Sequence, residues 1–181
     1  MSRAAIAALG SVPALLFVAY VTVAAQRGRA ADGLWVCHFA NLLLALGLFA
    51  GSRRVIGLAA ALLLAGFPLW ALDSWRNGEV TLVSAASHLG GLAVALYALS
   101  RVRLSFNPWL AALIVFVALR ELCRWVTPEA LNVNLAHAAY AGWEDLPGGY
   151  AAYWLATTVA AGAALWGAGR VLSSLFKEGT P

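Results

Sequence analysis

Three histidines, two cysteines and a few amides and guanidines carry whatever chemistry this chain performs. His88 lies in residues 79–99, EVTLVSAASHLGGLAVALYAL, about two turns inside a run apolar enough to cross a bilayer. An imidazole at that depth is expensive to keep, so it marks a functional site by default and calls for a partner. Cys37, His38 and Asn41 open an earlier apolar run, and Ser84 stands four residues before His88. Residues three and four apart share a helix face, so Cys37 with Asn41, His38 with Asn41, and Ser84 with His88 form ready-made pairs. A thiol or hydroxyl, a base and amide donors are the parts of acyl transfer. In that reading His88 is the base, Cys37 the preferred nucleophile and Ser84 the second choice. Asn41 or Asn134 donates to the oxyanion. Arg120 or Arg124 holds a lipid phosphate, with Asp73 completing the polar lining. Two other readings compete. His38 and His88, joined by Asp73 or His137, supply donors of the kind a metal or haem site uses. Alternatively, the same groups bind a small ligand or lipid without reaction. No HxxxH or HExxH spacing supports the metal reading, and the favoured reading requires no cofactor or metal.

These residues must be positioned by helices. The chain has 181 residues, 62% hydrophobic and 11% charged, with mean hydropathy +0.80. A soluble domain needs far more charge to cover its surface. The apolar runs do not alternate with polar residues, which excludes a transmembrane barrel. The expected fold is all-α: a single integral membrane domain over 1–181, a polytopic bundle of about six spans at 4–25, 34–50, 55–72, 81–100, 108–126 and 150–171. The first run is too long for a secretory leader and is read as a span. Pro13 is expected to bend it. Residues 128–144 are amphipathic and too polar to span, and are expected to form a short interfacial or re-entrant helix. Gly57, Gly90, Gly91, Gly162, Gly167 and Gly169 are read as close-packing positions. Trp35, Trp70, Trp75, Trp109, Trp125, Trp143, Trp154 and Trp166 fall mostly near span ends, as an aromatic belt does.

Charge placement gives an orientation. Arg3, Arg53, Arg54, Arg101, Arg103, Arg170 and Lys177 fall on one side, with Glu178 as its one acid. Asp32, Asp73, Glu79, Glu121, Glu129, Glu144 and Asp145 fall on the other, beside Arg27, Arg29, Arg76, Arg120 and Arg124. The positive-inside rule makes the first side cytoplasmic, with both termini inside. All three histidines then converge on the outer leaflet, His88 about 10 Å below its span's start at 1.5 Å per residue. Such groups should face the bundle interior rather than lipid. No basic run suits nucleic acid; membrane lipid is the expected partner. No pattern specifies an oligomeric state.

The order of these features resembles the YwaF-type bacterial integral membrane proteins. There an early span opens with a His/Cys motif followed by an acid or amide, as in Trp35-Val36-Cys37-His38-Phe39-Ala40-Asn41. A later span carries a deep histidine followed by glycine, as in Ser87-His88-Leu89-Gly90-Gly91. Leu131-Asn132-Val133-Asn134-Leu135 is similar to their asparagine motif. Pro147-Gly148-Gly149-Tyr150 is similar to the Pro/Tyr opening of their last span. The resemblance covers about 34–171; Asn41 stands where an acid is common, and the motif around Asn134 is looser. The wider group includes androgen-induced and androgen-dependent membrane hydrolases and a related phospholipid acyltransferase, in which a Thr or Cys nucleophile works with a membrane-embedded histidine. The resemblance implies a multi-pass protein of the bacterial inner membrane. It sets Cys37 or His38 near the nucleophile position and His88 at the conserved-histidine position.

Overall fold

Caps and breaks in the sequence set the helix lengths. The computed structural model describes residues 3–78 and 80–176. Glu79, Lys177, Glu178 and the side chain of Arg3, all part of the charge pattern, lie outside the described residues. The helices are α1 Arg3–Gln26, α2 Val36–Phe49, α3 Arg53–Asn77, α4 Leu82–Val102, α5 Trp109–Val126 and α6 Gly149–Phe176. The chain is an all-α bundle. Ser52 starts α3 by accepting from the Val55 amide, and Gly78, at φ +66°, closes it in the left-handed conformation that suits glycine. This cap carries α3 past the expected end at 72, so Asp73 lies inside the helix. Thr81 starts α4 by accepting from the Ser84 amide at 3.2 Å. Pro13 is enclosed and fully buried within a continuous α1.

α1, α3, α4 and α6 are long and apolar enough to cross a membrane. α5 has 18 residues but carries Arg120, Glu121 and Arg124. α2 has only 14 residues, a rise of about 21 Å, because Trp35 turns extended just before it. α3 is the central element and packs on α2, α4, α5 and α6. Its Ala59, Ala60 and Ala61 are wholly buried, and with Ile56 they meet Leu44 and Leu48 of α2 and Ala95 and Leu99 of α4. Small side chains let helices approach closely where lipid supplies no hydrophobic drive. Gly91 serves that purpose against Asn41 of α2 and Gly169 against Trp109 of α5, Gly57 makes room for Leu104 of the α4–α5 connection, and a methyl at Gly167 would meet nothing within 4 Å.

The segment expected to form an amphipathic helix does not. Residues 128–144 hold two short 3₁₀ turns, Glu129–Leu131 and Val133–Leu135. Asn132, Asn134 and Leu135 have φ of 42°, 54° and 57°. Asparagine side chains that bond nearby backbone compete with helix. Asn132 does so here, accepting from the amides of His137 and Ala138 at 3.0 Å.

Candidate functional site

Four helices each contribute one ring to a column, half-buried at Tyr20 and Trp70 and buried at its two histidines, at the end of the bundle where α1 and α3 finish and α2 and α4 begin. Tyr20 of α1 stacks on His38 of α2 with ring centroids 3.3 Å apart. His38 meets His88 of α4 edge to face at 5.1 Å. His88 stacks on Trp70 of α3 at 4.4 Å and 10° between planes. His38 is 4% and His88 5% exposed, so both face the bundle and not its surroundings. His88 lies in a π turn, Ala86–Gly90, within an otherwise α-helical span. Such wide turns occur often at functional sites.

The ring of His88 is held. Its Nδ1 lies 2.8 Å from the Ser84 carbonyl. A carbonyl only accepts, so Nδ1 carries the proton and Nε2 is the ring's acceptor. The Ser84 hydroxyl in turn accepts from Trp70 Nε1 at 3.0 Å. Trp70 thus presses on the imidazole and also ties down the residue that orients it.

On α2, Asn41 is 1% exposed. Its Nδ2 donates to the carbonyls of Cys37 and Ser87, both at 3.2 Å. A flipped amide would set two carbonyl oxygens against its own, so the network fixes the assignment. Its Oδ1 has no partner among the described residues and rests where a side chain at Gly91 would otherwise stand. Asn41 therefore offers this site an acceptor, while its donors are engaged. His38 Nδ1 is likewise buried and unpartnered. Cys37 Sγ sits in a notch at Gly66 of α3; a methyl there would come within 2.7 Å of the sulfur. Gly66 and Trp70 are four residues apart, so Cys37 and His88 touch one face of α3 in successive turns, about 6 Å along the axis.

The remaining predicted residues serve elsewhere. Asn134 clamps the shortened α2: its Oδ1 accepts from the Val36 amide at 2.9 Å, and its Nδ2 donates to Leu34 O at 2.7 Å and Cys123 Sγ at 3.3 Å. Arg120 and Arg124 face α6 and the 127–148 segment, not His38 and His88. Arg120 donates to Thr157 Oγ1 at 2.9 Å and Leu135 O at 3.1 Å. Arg124 pairs with Glu121 at 3.2 Å. Asp73 accepts from Tyr140 Oη at 3.1 Å. His137 does not join the other two histidines. Thr127 Oγ1 spends its proton on Cys123 O at 2.7 Å, so His137 Nε2 donates to that hydroxyl at 3.1 Å. Among the described residues, no three His, Cys, Asp or Glu side chains form a group able to hold a metal ion.

Sequence reasoning missed Tyr20 and Trp70. The sequence reads Trp70 as one more belt tryptophan, but it is half-buried against His88, unlike Trp75 and Trp125, which are 80% and 84% exposed. Its spacing from Asp73 hints at a shared face with the outer end, but nothing in the sequence pairs it with His88. Compared with protein-family models, curated proteins and solved structures, the chain has no match.

Proposed function

We propose that this membrane protein is an intramembrane acyl hydrolase or acyltransferase acting on a membrane lipid, with Cys37 as nucleophile and His88 as base. One observation carries the reading. An imidazole oriented through Nδ1 stands beside a second imidazole, one α3 turn from a thiol seated in its own notch. A base whose second nitrogen is tied to a fixed oxygen is the arrangement general-base catalysis uses.

His88 Nε2 takes the thiol proton, and the sulfur attacks the ester carbonyl. The ester C–O bond breaks, the acyl group stays on Cys37 as a thioester, and the departing alkoxide takes the proton from His88. Water, or a lipid hydroxyl or amine, then attacks the thioester and restores the thiol. His38, whose Nδ1 lacks a partner, is the group left to meet the carbonyl oxygen. The resemblance of the Cys37-His38 and His88-Gly90 motifs to the YwaF-type proteins supports this chemistry. On the same reading the chain crosses the bacterial inner membrane six times, with both termini cytoplasmic and the site in the outer half. The arginine distribution supports that orientation.

The test uses purified protein in proteoliposomes carrying a lipid ester with a labelled acyl chain. Wild type releases or transfers the label and carries a hydroxylamine-sensitive acyl group on Cys37. Cys37→Ala and His88→Ala lower turnover at least a hundredfold while the helical signal is retained. Unchanged turnover in both variants overturns the reading. A second reading, binding without reaction, is favoured by the two unpartnered atoms His38 Nδ1 and Asn41 Oδ1, since buried polar groups normally have partners. A lipid that binds but leaves no acyl mark on Cys37 selects it.

A further inference from the structure

A second polar cluster lies between α5, α6 and the 127–148 segment, and the acyl chemistry does not use it. Arg120 is 1% exposed. Among the described residues its charge meets only neutral oxygens: Thr157 Oγ1 at 2.9 Å, Leu135 O at 3.1 Å and Trp154 O at 3.4 Å. Its Nε is buried without a partner. Its guanidinium lies 5.5 Å from the centre of the Trp154 ring. That tryptophan lines a cleft of about 330 Å³ together with Glu121, Arg124, Tyr150 and Ala151. Arg124 donates through Nε to Ala136 O at 3.1 Å and through Nη2 to Tyr150 Oη at 3.0 Å, and it pairs with Glu121 at 3.2 Å. Glu121 also accepts from Trp154 Nε1 at 2.9 Å.

The cluster holds two guanidinium groups and one carboxylate. Buried charges are normally paired, and here one positive charge is left over. It sits behind the tryptophan of an open cleft, in surroundings where low dielectric lets its field reach further than in water. The cleft lies at the last turns of α5 and the first two turns of α6, and helix ends are where a bilayer would present its headgroups. An Arg fork suits phosphate oxygens, and the Tyr150 and Trp154 rings offer apolar walls to the glycerol and chain below.

We propose that this cleft binds the phosphate of a membrane phospholipid, with Arg124 as direct contact, Arg120 as buried field source and Glu121 as the competing anion. A phosphodiester brings one negative charge and cancels the excess. None of Cys37, His38 or His88 lines the cleft, so the proposal stands or falls apart from the acyl chemistry.

The experiment titrates the full chain, in a phosphate-free maltoside detergent, with dioctanoyl phosphatidylglycerol, dioctanoylglycerol or inorganic phosphate. Binding is read by tryptophan fluorescence and by thermal shift. Arg124 and Glu121 are each 38% exposed at their side chains, so Arg124→Gln and Glu121→Gln should fold. Phosphatidylglycerol should bind at least tenfold more tightly than dioctanoylglycerol or inorganic phosphate. Arg124→Gln should weaken it about tenfold. Glu121→Gln, by freeing Arg124, should tighten it several-fold. Arg170→Gln, at the opposite end, should bind like wild type. Equal binding of dioctanoylglycerol overturns the phosphate contact, and equal binding of inorganic phosphate overturns the lipid. A Glu121→Gln variant that binds no more tightly than wild type overturns the competition.

Discussion

Replacing Gly91 by alanine tests how tightly the site is built. The added methyl would overlap Asn41 Oδ1 and come within 2.9 Å of its Cγ and 3.0 Å of its Nδ2. Asn41 is 1% exposed and has no solvent into which to swing. If the amide turns away, it gives up its bonds to Ser87 O and Cys37 O, at about 1 kcal/mol each, and leaves buried carbonyls short of a partner. If it stays, the overpacking costs about 1–3 kcal/mol. The alanine itself returns about 0.5–1 kcal/mol in a helix. The first route leaves a net loss of about 1–1.5 kcal/mol and the second about 0–2.5 kcal/mol. Gly90→Ala is the control one residue away. Its methyl meets only the end of the Leu16 side chain, at 3.1 Å, a flexible neighbour that can yield, so the helix gain should survive and stability should hold or rise slightly. Equilibrium unfolding of the two variants in mixed micelles should separate them by about 2 kcal/mol, Gly91→Ala being the weaker. Equal stabilities would mean that Asn41 is not wedged against α4, and the packing argument for the whole column would go with it.

Gly66→Ala sets a methyl within 2.7 Å of Cys37 Sγ; the thiol must leave its notch, and both its alkylation rate and lipid turnover should change while Gly90→Ala leaves them alone. Trp70→Phe keeps a ring against His88 but loses the bond to Ser84 Oγ, so kcat should fall modestly with KM unchanged, and Trp70→Leu should lower kcat further; equal effects of the two would show that the ring contact is irrelevant. Asn134→Ala strands the Val36 amide and the Leu34 carbonyl and should cost about 2 kcal/mol of stability, read by the same unfolding assay. Tyr140→Phe removes only an exposed bond to Asp73 and should stay within about 0.5 kcal/mol.

Helix identity and order could be read from the residues alone because a run of about 20 apolar residues has little choice but to become a helix in lipid. Both ends of α1, α2, α4 and α5 and the start of α6 fall within two residues of expectation, whereas α3 and α6 each run five residues further, α3 because Gly78 supplies its cap there. The meeting of His38 with His88 was foreshadowed by the cost of an exposed imidazole in hydrocarbon, which forces both inward at the same end of the bundle. What the sequence does not encode is how each helix is rotated about its own axis. Helices apolar on every side carry no polar stripe to announce which face meets which neighbour. That rotation brings Tyr20 and Trp70 onto the histidines and turns Arg120 toward α6 instead. It also makes Asn134 the clamp at the start of the 14-residue α2. Those choices rest on close contacts between small residues and single hydrogen bonds, Gly66 with Cys37, Gly91 with Asn41, Trp70 with Ser84, and such contacts exist only once the helices have packed.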